Sequence, residues 1–130
     1  FISGTEVTCG CYIIGDKKTA LPITEVVTTN EFFDYDAKYE GQVEEITPAR
    51  ISDEMTKEIQ QLTGKIYDLV NAKGIIRVDF IISGDKPYLL EVNTTPGMTL
   101  TSFIPQQVAA AGLNITDILT GIIENEFNKI

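Results

Sequence analysis

The chain reads as an α+β fold, an antiparallel sheet packed on helices, and three observations predict it. Residues Glu6–Thr28 and Ile75–Asn93 each hold two apolar-rich runs joined by turn chemistry, which is how a β-hairpin is punctuated. Between them, Met55, Ile59, Leu62, Ile66, Leu69 and Val70 recur at helical spacing. That helical stripe needs an apolar partner, and one face of the second hairpin offers it.

Glu6–Gly15 is expected as the first strand, Asp16-Lys17-Lys18 as a turn and Thr19–Thr28 as the second strand. Asn30–Thr47 is aromatic, polar and aperiodic, and is expected as a loop with an ordered core around Asp34–Lys38. Pro48 and Arg50 lead into a helix with Ser52 as N-cap and Asp53 and Glu54 in its first turn, where carboxylates suit the helix dipole. Lys73-Gly74 is read as its stop. Ile75–Ile82 and Tyr88–Asn93 are the arms of the second hairpin, with Ser83–Pro87 as the turn. Pro105 opens a short helix over Gln106–Ala111 that Gly112 ends. Asn114 or Thr116 caps a last helix with Ile118, Leu119, Ile122, Ile123 and Phe127 on one side.

At 130 residues the chain makes one domain with room for a core. An apolar share of 43% beside 22% charged residues suits a water-soluble globule, and no run of 18 apolar residues suggests a membrane span. Ten basic against 19 acidic residues, a net charge of −9, argue against a nucleic-acid partner, because phosphate contacts need Lys and Arg. A nucleotide stays open, since Mg²⁺ can bridge carboxylates to phosphates. There is no histidine, so Ser-His-Asp and Cys-His chemistry cannot be housed here. Cys9 and Cys11 lack the further ligands of a zinc site and read as small, partly buried thiols in a reducing compartment. The opening Phe-Ile-Ser-Gly has no initiator Met, so a longer parent chain is expected.

The second hairpin carries the chemistry. If Ile82 faces Tyr88, then Asp79 falls opposite Glu91 and Arg77 opposite Asn93. Strand side chains alternate faces, so Arg77, Asp79, Glu91 and Asn93 share one face. Val78, Phe80, Ile82, Tyr88, Leu90 and Val92 then share the other. Two facing carboxylates repel. Arg77 offsets this as a structural ion pair, or a divalent cation does. Asp, Glu and an Asn carbonyl are hard oxygen ligands that suit Mg²⁺ better than zinc. The Thr94-Thr95-Pro96-Gly97-Met98-Thr99 segment then turns, and its backbone N–H groups can face an oxyanion. A plain Pro-Gly turn is the alternative.

The run Gly-Ile-Ile-Arg-Val-Asp-Phe, followed by Tyr-Leu-Leu-Glu-Val-Asn-Thr-Thr-Pro-Gly-Met-Thr, closely resembles the C-terminal part of D-alanine–D-alanine ligases of the ATP-grasp superfamily. Asp34-Tyr35-Asp36-Ala37-Lys38-Tyr39 is similar to the family's acceptor-side loop, and Phe1–Thr8 to the strand after its adenine hinge. The matches are collinear over essentially the whole chain. The resemblance implies one lobe, residues 1–130, that clamps ATP against a lobe absent from this sequence. It implies that ATP phosphorylates one D-alanine, whose acylphosphate the amine of the second attacks, for peptidoglycan precursor synthesis in the cytoplasm.

By that resemblance Glu91 bridges two Mg²⁺ (or Mn²⁺), with Asp79 on one and Asn93 on the other. Arg77 steadies the tetrahedral intermediate and the transferred phosphate, and forms an oxyanion hole with the Gly97 backbone. Ser102 holds the carboxylate of the second D-alanine, although a helix-capping serine is the competing reading. Lys38 contacts ATP phosphate and Tyr39 latches the loop. Glu6 contacts the nucleotide sugar, and Ile2 lies at the adenine hinge. Asp-Ala-Lys-Tyr favours a dipeptide over a D-lactate product. Phe103 departs from the leucine often found at its position. The first-substrate domain, the general-base glutamate and the lid lysine are expected upstream, so the 130 residues alone are expected to be inactive. The implied partners are ATP, D-alanine, the missing lobes and a second full-length copy, with no nucleic acid and no membrane. The competing functions are ligation to D-lactate or D-serine, and a non-catalytic Mg-nucleotide-binding module.

Overall fold

The computed structural model describes residues 4–28, 43–99 and 102–127. Among the described residues six strands form one sheet: β1 (Thr5–Ile14), β2 (Lys17–Ala20), β3 (Thr24–Thr28), β4 (Val43–Ile46), β5 (Ile75–Ser83) and β6 (Lys86–Asn93). Every pairing is antiparallel, in the order β4-β3-β1-β5-β6, with β2 beside β3 on the same edge of β1. The helices among the described residues are α1 (Asp53–Leu69), α2 (Phe103–Ala110) and α3 (Ile115–Phe127). None of them is long and apolar enough to cross a membrane.

The sheet is the middle layer. Odd-numbered residues of β1 and even-numbered residues of β5 face α1, where Val7, Cys9, Cys11, Ile76, Val78 and Phe80 pack with Ile59 and Tyr67. The opposite parity faces α2 and α3, where Tyr12, Leu21 and Ile75 meet Ile104, Val108 and Ile118. The expected partnership of helix stripe and hairpin face therefore holds for β5. The two-sided cover follows from Tyr12 and Ile14, which β1 turns to the second face, so that end of the face cannot be left to water.

Several boundaries differ from the sequence reading. Both hairpins turn on two residues, Gly15-Asp16 and Gly84-Asp85, with Ile14 paired to Lys17 and Ser83 to Lys86. Gly15 and Gly84 have φ of 62° and 63°, the left-handed conformation such turns take at their first central position. The second strand is split at residues 21–23. Leu21 enters the α2 side and Ile23 the α1 side, and Pro22 between them has no N–H to give a ladder. Val43–Ile46 is a strand, where a loop was expected, because it pairs along β3 despite its two glutamates. The expected ordered core at Asp34–Lys38 lies outside the described residues.

Helix α1 begins as expected, with Ser52 Oγ accepting from Met55 N at 3.1 Å. It ends earlier than Lys73-Gly74. Asn71 turns left-handed at φ 53°, and Asn71 N and Ala72 N donate to Asp68 O and Tyr67 O, a Schellman cap. Leu69 and Val70, expected on the stripe, are consequently exposed. Helix α2 begins at Phe103, not Gln106. Pro105 is its third residue, where a missing N–H still costs nothing. Gly112, at φ 73°, ends it. Asn114 Oδ1 caps α3 through Thr116 N and Asp117 N. Ile118 packs inward with Ile115 and Ile122, whereas Leu119, Ile123 and Phe127 face outward.

Candidate functional site

Strands β5 and β6 place Arg77 opposite Asn93 and Asp79 opposite Glu91, as the sequence reading expects. The route differs. Ile82 pairs with Pro87, one residue early, and a bulge between Asp79 and Phe80 leaves Leu90 unpaired. The two shifts cancel at the polar residues but not at the apolar ones. Tyr88 now pairs with Ile81, and Tyr88, Leu89 and Leu90 are all exposed, so the expected continuous apolar face stops at Val92.

The polar face lies on the α2 side of the sheet. The Asp79 carboxylate accepts four hydrogen bonds. Oδ1 takes Thr8 Oγ1 at 2.7 Å and Arg77 Nε at 3.0 Å. Oδ2 takes Arg77 Nη2 at 3.1 Å and Asn93 Nδ2 at 3.2 Å. The Arg77 and Asp79 side chains are only 20% and 16% exposed, so this two-pronged ion pair is largely screened from water. Arg77 Cζ also sits 5.0 Å from the centroid of the Phe103 ring, a cation–π contact from the first residue of α2. The Glu91 side is open to solvent.

Arg77 thus offsets the facing carboxylates, as the ion-pair reading expects. Among the described residues no group of three or more Asp, Glu, Cys or His side chains could hold a metal. The donor set is two carboxylates and an amide, which suits an ion that keeps waters and substrate phosphates as its other ligands. Asn93 spends its Nδ2 on Asp79, which leaves its carbonyl oxygen to a cation, and Glu91 is accessible. Asp79 has about four lone-pair sites, all taken, so it joins a cation only by yielding one bond. The residues fit a hard divalent ion on that condition.

Gly97 and Ser102 are brought together. A Cβ on Gly97 would stand 2.9 Å from Ser102 Oγ, so any larger residue there must displace that hydroxyl, and the backbone is not left-handed. Ser102 occupies the N-cap of α2 but makes no capping bond through its side chain. Its Oγ instead meets Thr99 N at 3.2 Å and Thr99 Oγ1 at 2.7 Å, which removes the capping reading. Glu6 is exposed and pairs with Ile81, on the same sheet face as Thr8 and Asp79. Ile2, Lys38 and Tyr39 lie outside the described residues.

The sequence reading missed Thr8 and Gln107. Thr8 is 2% exposed and bonds Asp79 directly. Gln107 is fully buried on the sheet side of α2. An amide inside the stripe Ile104, Gln107, Val108 was a visible signal, because buried amides are kept only when bonded.

A family model described as the D-ala D-ala ligase C-terminus matches residues 1–124. Among curated relatives, the D-alanine–D-alanine ligase of Bacteroides fragilis is 67% identical over 128 residues, covering 98% of this chain and 40% of the relative. That of Parabacteroides distasonis is 68% identical over 130 residues, covering 99% and 39%. The chain therefore spans about 40% of the length of the curated relatives it matches. Among solved structures, the D-alanine–D-alanine ligase of Bacillus anthracis complexed with ATP is 30% identical at TM-score 0.77, covering 98% of this chain and 40% of that one. The VanG D-Ala:D-Ser ligase of Enterococcus faecalis is 32% identical at TM-score 0.77, covering 95% and 36%.

Proposed function

We propose, because the chain belongs to the D-Ala–D-Ala ligase C-terminal family, that in its full-length protein it serves the ATP-dependent joining of two D-alanines. The product, D-alanyl-D-alanine, is a building block for peptidoglycan precursors. Residues 1–130 form the C-terminal ATP-grasp lobe, and other parts of the parent chain supply the first-substrate domain and the ATP lid. The parent protein works in the cytoplasm as a homodimer, without nucleic-acid or membrane partners.

The observation that carries this reading is the single polar face of β5 and β6. It gathers Arg77, Asp79, Glu91 and Asn93 beside the loop that brings Gly97 to Ser102. In the first step a carboxylate oxygen of one D-alanine attacks the γ-phosphorus, and ADP leaves. In the second, the amine of the other D-alanine attacks the acyl carbon, and phosphate leaves. Both steps build charge on oxygen, so positioned donors are the main demand on the protein.

Arg77 meets that demand. Its guanidinium has five N–H donors, and the bonds to Asp79 engage two of them. The rest are available to the transferred phosphoryl group and the acyl oxygen, with the Gly97 N–H as second donor. The Asp79 pair and the Phe103 ring keep the guanidinium from swinging out to solvent. Mg²⁺ (or Mn²⁺), when bound, would be held by Asp79, Glu91 and Asn93 and would neutralise charge on the phosphoryl oxygens. Ser102 Oγ receives the acceptor carboxylate by trading its bond with Thr99. Ile2, Glu6 and Lys38 serve the nucleotide, and Tyr39 closes the loop.

The test is ADP release by the full-length protein with ATP, Mg²⁺ and D-alanine, with D-lactate and D-serine as competing acceptors. Release that depends on D-alanine and ignores the competitors supports the reading. A second reading, D-serine as acceptor, is favoured by the likeness to the VanG ligase, and preferential use of D-serine would select it. No release with any acceptor would refute both.

A further inference from the structure

One buried polar side chain takes no part in the chemistry above. Gln107 is fully buried, and its amide makes three hydrogen bonds. Oε1 accepts from Gly10 N at 2.9 Å, and Nε2 donates to Thr8 O at 2.9 Å and to Thr24 Oγ1 at 3.0 Å. Thr8 and Gly10 border a gap in the ladder. Pairing of β1 with β3 ends at Thr8↔Thr24, and pairing with β2 resumes at Cys11↔Ala20. Gly10 C=O still accepts from Leu21 N at 2.8 Å, and the Gln107 amide takes the Gly10 N–H that neither strand accepts. Left alone, Gly10 N–H would be a buried polar group, and such groups are almost always bonded.

These directional bonds help fix α2 along β1, together with the close packing of the helix on the strand. The helix comes in close. A Cβ on Gly10 would stand 2.4 Å from Ile104 Cδ1 and 3.0 Å from Gln107 Oε1. Two consequences reach the polar face. Phe103 precedes Gln107 by four residues, so it lies one turn away on the same side of α2, and its ring covers Arg77. Thr8, held by its carbonyl, donates its hydroxyl to Asp79. Each half of the Arg77–Asp79 pair is therefore tied to one amide, Arg77 through Phe103 and Asp79 through Thr8. We propose that Gln107 is a positioning residue: its amide takes the Gly10 N–H that the ladder leaves over, grips the Thr8 carbonyl, and thereby holds the Arg77–Asp79 pair in register. Only the kinetic consequence rests on the ligase reading.

The test uses the full-length protein with ¹⁵N-labelled arginine, as wild type and as Gln107→Met, an apolar side chain of similar length. Two quantities are read: solvent exchange of the Arg77 Nε–H, and kcat/KM for D-alanine. The proposal expects Arg77 exchange at least tenfold faster and kcat/KM at least tenfold lower, with circular dichroism unchanged. A lower thermal midpoint with either quantity unmoved overturns it and leaves Gln107 a residue of the fold alone. If Gln107→Met does not fold, Phe103→Leu decides. The proposal expects the same gain in Arg77 exchange, and unchanged exchange breaks the link from α2 to the pair. A wild type that releases no ADP with D-alanine refutes the ligase reading, while Arg77 exchange still decides the proposal.

Discussion

Replacing Asp79 by Asn changes one atom type at the centre of the polar face, and its cost can be worked from the four bonds. All four partners of the carboxylate are donors: Thr8 Oγ1, Arg77 Nε, Arg77 Nη2 and Asn93 Nδ2. A carboxamide has one acceptor oxygen and one NH₂ group. In either orientation its NH₂ group faces one Arg77 N–H and one group, the Thr8 hydroxyl or the Asn93 amide, that can turn to accept from it. At least one bond is lost, and it is one to Arg77. A hydrogen bond to a charged group contributes about 1.5–3 kcal/mol when buried. Asp79 and Arg77 are 16% and 20% exposed, so water restores part of this, and the expected loss of stability is about 1–3 kcal/mol. Activity suffers more, because Arg77 loses its anchor and a cation loses a charged ligand. Losing one preorganised electrostatic contact costs about 2–4 kcal/mol in the barrier, or roughly 30- to 1,000-fold in kcat. The assay is ADP release by the full-length Asp79→Asn protein at saturating ATP, D-alanine and Mg²⁺, beside a urea titration. Turnover within about threefold of wild type would refute the assignment of Asp79, on the reasoning that so small a change is under 1 kcal/mol.

Gly97→Ala should push Ser102 Oγ aside, since the new Cβ would stand 2.9 Å from it. The KM for the acceptor D-alanine should rise several-fold with stability nearly unchanged, and an unchanged KM would detach Gly97 and Ser102 from the acceptor. Arg50 donates three bonds to Glu25, from its backbone N, Nε and Nη2, and these hold the Glu25 carboxyl below the usual carboxylate range. A depressed folded pKa contributes stability above the unfolded value of about 4.3 that is lost as pH falls through the folded one. Glu25→Gln should therefore flatten the acid limb of the stability curve, and an unaltered limb would contradict this. Burial pushes the Cys9 thiol up to about 12 and the Cys11 thiol up to about 11. Both should resist alkylation at neutral pH until the protein unfolds, and stability should fall as pH rises above the unfolded thiol value of about 8.5. Rapid labelling of the native protein would count against the packing of the α1 face.

The polar face was legible because it depends on period-two alternation, and the pairs Arg77–Asn93 and Asp79–Glu91 follow from it. The reading reached them through two errors that cancel. It gave the turn five residues where Gly84-Asp85 suffices, and it did not see the bulge at Leu90. The turn could have been read, because Gly15-Asp16-Lys17 and Gly84-Asp85-Lys86 are the same word at both hairpins. The bulge could not, since Leu89 and Leu90 are both apolar and nothing local says which is extra. Strand β4 escaped for a different reason. Glu44 and Glu45 have no strand preference of their own, and the β3 edge supplies the pairing. The end of α1 was misplaced because Asn71 takes the left-handed position usually filled by glycine, with Gly74 waiting three residues on. Thr8 and Gln107 show the limit of reading segments singly. Their bonds to Asp79 and Gly10 span 71 and 97 residues.

The most direct measurement follows an oxygen atom. Full-length protein would be supplied with ATP, Mg²⁺ and D-alanine labelled with ¹⁸O in both carboxylate positions, and the products weighed by mass spectrometry. The account predicts D-alanyl-D-alanine, ADP, and phosphate carrying one ¹⁸O, because the attacking carboxylate oxygen leaves with the phosphoryl group. Dipeptide with unlabelled phosphate, or label appearing in AMP, would contradict the acylphosphate route and with it the roles given to Arg77, Asp79, Glu91 and Asn93.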